Sequence, residues 1–139
     1  MSDMDISPSA ANGLQEKLEQ VFALSTASYL LLSHVSGTPI TELGTLKDGD
    51  SASFCALSAA AWSSAASMAK IITEPSCRSL NLIGHDRVVH IVPAGDNALL
   101  VFVFASEVLP KGFRLLAWKW ADEVASAMGF FGQSAKIGK

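Results

Sequence analysis

Apolar positions along this chain recur with two different periods, and the changes of period mark out its elements. Leu14, Leu18, Val21, Phe22 and Ser25 fall at helical spacing, with Gln15, Glu16, Lys17, Glu19 and Gln20 between them. That spacing predicts an amphipathic helix over 13–25. Residues 28–35, SYLLLSHV, read as a buried strand, with Ser36, Gly37 and Thr38 as its turn and 39–45 as the returning strand. Pro39, Thr41 and Glu42 suit a sheet edge, where a missing N–H and polar side chains do no harm.

Three further strands are predicted in quick succession. Residues 77–83 alternate Cys, Ser and Asn with Arg, Leu and Leu, as a half-covered strand should. Residues 87–93 follow a turn at Gly84, His85 and Asp86, and 98–105, ALLVFVFA, follow another at 94–97. The last of these is apolar on both parities, which predicts an interior strand covered on both faces. A closing helix is expected over 111–128, entered through Pro110, with Phe113, Leu116, Ala117, Trp120, Val124 and Met128 on one face. Trp118 lies off that stripe, packed against a neighbour or serving as a contact site. The order is αββαβββα: an α/β (α+β) domain over 12–128, with one five-stranded antiparallel sheet between helices. A disordered 1–11 and a flexible 129–139 are expected to flank it.

Residues 51–72, SASFCALSAAAWSSAASMAKII, contain no Gly or Pro and one charge, Lys70. Ala-rich composition favours helix, with Asp50, Ser51 and Ser53 as candidate N-caps. Phe54, Leu57, Ala61, Ala65, Met68 and Ile72 form one stripe, expected to face the core. Beside it runs a strip of Cys55, Ala59, Trp62, Ala66 and Ala69. Serines and a lysine dilute the run below what a membrane span requires. Two readings remain: a helix buried in the core, or a helix with its sheet on one side and a partner protein on the other, anchored by Trp62.

Composition points toward covered surface. Of 139 residues, 50% are hydrophobic and 17% charged, which is lean in charge for a soluble monomer. A net charge of −3 with no basic run gives no footprint for nucleic acid. Asp3 and Asp5 without an apolar run do not read as a secretory signal, so a cytoplasmic protein with two reduced thiols, Cys55 and Cys77, is expected.

Chemistry is sparse. Neither glycine-rich nucleotide loop is present. Gly49, Asp50 and Ser51 resemble the start of a hydrolase serine motif, but no triad completes it. His85 and His90 have opposite parity on one strand and do not share a metal; His34 reads as a hydrogen-bonded core residue. The residues nominate no catalytic group, cofactor or metal.

The element order and several local patterns resemble the roadblock (dynein light chain roadblock-type) family from about Leu14 to Met128. The matching pieces are YLLLSHVSGTPI, the Ala-rich helix, the meander LNLIGHDRVVHIVPAGDNALLVFVFAS and the helix GFRLLAWKWADEV. The resemblance implies a roadblock/profilin-like sandwich. It also implies a homodimer that joins the edge at 77–83, with Ser79, Asn81 and Ile83, into a continuous sheet and lays the two 51–72 helices antiparallel. Cys55, Ala59, Trp62, Ala66 and Ala69 would then face the partner, with Trp118 as a second contact. Such domains do not usually catalyse. Many bind Ras-like small GTPases as activating proteins or scaffolds; others are light-chain-like adaptor subunits of larger complexes. A ligand-binding module on a related sheet is a third possibility, disfavoured by alanine-filled helix packing.

Overall fold

The apolar runs pair into one antiparallel sheet. A computed structural model describes residues 8–46 and 49–137. Strands β1 (Tyr29–His34), β2 (Pro39–Gly44), β3 (Leu80–Ile83), β4 (Val88–Pro93) and β5 (Ala98–Phe104) lie in the order β2-β1-β5-β4-β3. Helices α1 (Pro8–Ser25) and α3 (Phe113–Ile137) cover one face and α2 (Ser51–Ile71) the other, which is the expected layering.

Side-chain alternation divides the interior into two cores. Leu30 and Leu32 of β1 and Leu100, Phe102 and Phe104 of β5 meet Leu14, Leu18 and Val21 of α1 and Phe113, Ala117, Trp120 and Val124 of α3. Phe113 centres this larger core, edge-to-face with Phe102 at 4.9 Å and Phe104 at 4.8 Å between ring centroids. The opposite parity, Tyr29, Leu31, Leu99, Val101 and Val103, meets α2 through Cys55 and Ala59. Every residue of β5 is buried, as its doubly apolar pattern requires.

Two helix bounds and one strand differ from expectation. α1 begins at Pro8, ahead of the expected 13, because Pro suits a first helical position and Ala10 and Ala11 propagate it. α3 continues to Ile137 where a tail was expected from Gly129, since isolated glycines cost a helix only about 1 kcal/mol each. β3 starts at Leu80 instead of Cys77. The disorder expected for 1–7, the loop at 47–48 and the last two residues lie outside the described residues.

Local geometry fixes how α2 is placed. Gly44 closes β2 at φ 84°, and a Cβ there would run into the Ser28 carbonyl and the Phe22 ring. Asp50 caps α2: its Oδ1 accepts from the Ala52 N–H at 3.0 Å and its Oδ2 from the Ser53 hydroxyl at 2.7 Å. These bonds, Ser53's first, hold its carboxyl below the usual carboxylate range. At the far end Thr73, at φ 64°, donates to the Lys70 carbonyl, and Glu74 donates to that of Ala69. This pair of bonds is a Schellman turn with threonine where glycine is usual.

Candidate protein interface

The strip of α2 that rests on the sheet is made of small side chains. Cys55, Ser58 and Ala59 are buried, and Phe54, Trp62, Ala65, Ala66 and Ala69 are partly so. Beneath them Tyr29, Leu31, Leu99 and Val101 already fill the space, so only short residues let the helix approach. The Cys55 thiol donates to the Ser33 hydroxyl at 3.0 Å, satisfying two buried polar groups. Tyr29 stands edge-on to Phe54 and donates to Glu42 at 2.7 Å. Burial, with Glu42 beside it, raises the Tyr29 hydroxyl above its ordinary pKa.

This rotates the buried face from the stripe read from the sequence toward the strip beside it: Phe54 and Ala65 of the expected core stripe are partly buried, but its other members are not. Leu57, Ala61, Met68 and Ile72, expected in the core, are exposed; Cys55 and Ala59, expected at a partner surface, are buried within the protomer. Trp62 packs against the α2-side core and belongs largely to the protomer. Ala66 and Ala69 are partly open. The residues that do offer apolar surface are Leu57, Met68, Ile71 and Ile72, which are 68%, 67%, 80% and 69% exposed.

Next to this face in the fold is an open strand edge. β3 pairs only with β4, leaving the outer N–H and C=O groups of Leu80–Ile83 without a strand partner. Leu80 reaches the α2-side core, while Leu82 and Ile83 are largely exposed. Ser79 is partly buried. Asn81 turns toward the α3 face, where its carbonyl oxygen is hydrogen-bonded to His90 Nδ1. His90 is buried edge-on against Phe113, and its Nε2 has no hydrogen-bond partner among the described residues. Burial, and secondarily Arg114, push its pKa down to about 4.

Other expected site residues are placed differently. Trp118 donates its Nε1–H to the Arg78 carbonyl at 3.1 Å, with the Arg78 guanidinium 4.0 Å over its ring. It therefore pins the segment leading into β3. His34 is exposed at the end of β1, its Nδ1 accepting from the Ser36 N–H at 3.0 Å, and is no core residue. Cys55 and Cys77 are free thiols. Among the described residues no group of His, Cys, Asp and Glu is arranged to hold a metal, and no helix is long and apolar enough to cross a membrane.

A model of the Roadblock/LC7 domain matches residues 13–104. A solved structure of MglB in a tetrameric arrangement superposes with a TM-score of 0.81 at 22% identity, over 94% of this chain and 98% of that one. The gliding protein MglB of Thermus thermophilus gives 0.76 at 21% identity, over 91% and 96%. Myxococcus xanthus MglB gives 0.79 at 18% identity, over 90% and 93%. These likenesses are of fold. Comparison with curated proteins gives no match.

Proposed function

The chain belongs to the Roadblock/LC7 domain family, and from that premise we propose that it is a non-catalytic, homodimeric partner of a Ras-like small GTPase. The observation that carries this reading is the apolar outer face of α2 together with the open edge of β3. The protomer has no use for Leu57, Met68, Ile71 and Ile72 in water. Withdrawing one such side chain from water contributes roughly 1.5–3 kcal/mol. Two-fold pairing of β3 with its copy covers an edge that would otherwise recruit any strand, and brings the two α2 helices together. The likeness to an MglB that assembles as a tetramer supports a self-associating domain.

On this reading the paired α2 helices dock on the GTPase. α2 carries no arginine: Arg78, Arg87 and Arg114 all lie elsewhere. Any acceleration of hydrolysis would come from ordering the GTPase's own residues around the γ-phosphate, because positioning and charge stabilisation dominate phosphoryl transfer.

The test is retention of a small GTPase from native lysate on the immobilised full chain, in parallel with GDP and a non-hydrolysable GTP analogue. Preferential retention with the analogue, followed by turnover assays on the purified pair, is the expected result. A set of partners that is identical in both lanes and contains no GTPase would overturn the reading in favour of a structural adaptor.

A further inference from the structure

The start of α3, on the sheet face opposite α2, carries a second exposed surface, apart from the outer face of α2. An open cleft of about 430 Å³ lies there, walled by Leu109, Pro110, Phe113, Leu115 and Trp118, with Arg114 at its side. Leu115 is 70% exposed and Val108, just before the cleft, 67%. Lys111, Arg114 and Lys119 are exposed on this stretch, and Arg78 sits over the Trp118 ring. None of the four is in an ion pair; the one such pair among the described residues is Lys17–Glu123. Among the described residues no carboxylate lines the cleft. The nearest acids in sequence are Glu107, Asp122 and Glu123; Asp122 belongs to the neighbouring depression that Trp118 also lines, and Glu123 is paired with Lys17. In a chain of net charge −3, the one charged residue lining this cleft is thus a cation, Arg114, with Lys111 and Lys119 exposed on the same stretch.

We propose that this cleft docks a short acidic peptide segment of a partner protein, with one bulky apolar side chain seated between Leu109, Leu115 and Trp118 and flanking carboxylates on Lys111, Arg114 and Lys119. Charge complementarity selects the occupant, since an acidic segment neutralises the three exposed cations while its apolar residue covers Leu115. An anionic membrane fits less well. The site is concave, and both the indole N–H and one ring face of Trp118 are already taken by Arg78, so the ring cannot enter a bilayer interface. The surface lies across the sheet from α2, so a peptide there meets no residue of that helix, and it adjoins the approach to β3 only through Trp118.

The experiment is a polarisation titration of the full chain with a fluorescein-labelled acidic decapeptide carrying one central phenylalanine. Two controls replace its acids by amides and its phenylalanine by alanine. Saturable binding is expected, weakening with salt, lost with both controls, and reduced at least about tenfold by Arg114→Glu and by Leu115→Asp. Both sites are exposed, and an acid in the first turn of a helix favours the helix, so folding is not at risk. The Trp118 indole N–H resonance should shift with the same midpoint. No saturable binding below about 1 mM, or equal binding by Arg114→Glu, overturns the proposal. So does Leu115→Asp-sensitive binding to phosphatidylserine vesicles with none to the peptide, which would assign the cleft to membrane. A change of oligomeric state in Leu115→Asp without peptide overturns it as well, assigning the cleft to a second copy.

Discussion

Thr73 occupies a left-handed position that suits glycine, and a β-branched residue held there stores strain. Thr73→Gly is expected to stabilise the chain by about 1 kcal/mol, read as a higher urea midpoint with unchanged slope. His90 carries a linkage of definite sign. Its ordinary pKa is 6.5 and the fold pushes it down to about 4, so between these values the unfolded chain binds more protons than the folded one. Stability is therefore fully present above pH 6.5 and falls as the pH drops toward 4. His90→Gln, which retains an N–H for Asn81, should show a shallower loss of urea midpoint between pH 7 and about pH 4.5 than the parent chain does. An equal loss in both would mean that carboxylates set the acid limit.

At the level of elements, strands were more legible in the sequence than helix faces, for a physical reason. A strand fixes the direction of every side chain by parity, so the doubly apolar 98–105 could only be interior and the Pro39 strand could only be an edge. A helix whose residues are mostly alanine and serine has little asymmetry to read. Its most apolar stripe, with Leu57 and Met68, reads as the buried one, but a sheet crowded with Tyr29, Leu31 and Val101 takes small residues at the closest approach. Trp118, off the core stripe, takes the first of its two expected roles: it packs against a neighbour, Arg78, and holds the approach to β3. The correction can be measured with two charges on one helix. Ala59→Asp should cost more than about 4 kcal/mol and unfold the protomer, because it buries an unpaired carboxylate. Ile71→Asp should leave protomer stability within about 0.5 kcal/mol and give a monomer by light scattering. Dissociation without unfolding in Ala59→Asp, or an unchanged dimer in Ile71→Asp, would restore the original assignment of the faces.

For the molecule as a whole, the sheet separates two cores of unequal strength. The α1 and α3 side is knit by the buried rings of Phe102, Phe104, Phe113 and Trp120; on the α2 side the helix buries fully only Cys55, Ser58 and Ala59, with Phe54 and Trp62 partly buried beside them. Area removed from water scales with side-chain size, so α2 is the more weakly fastened layer. Native-state hydrogen exchange should then find two tiers: amides of β1 and β5 opening only with global unfolding, and those of α2 opening earlier as a unit. On the homodimer proposed above, raising the protein concentration should slow the α2 tier alone, because a docked helix cannot lift away. Self-association would then act as the latch of a hinged cover, so that a solitary subunit advertises its unpaired state by letting that cover open to proteases.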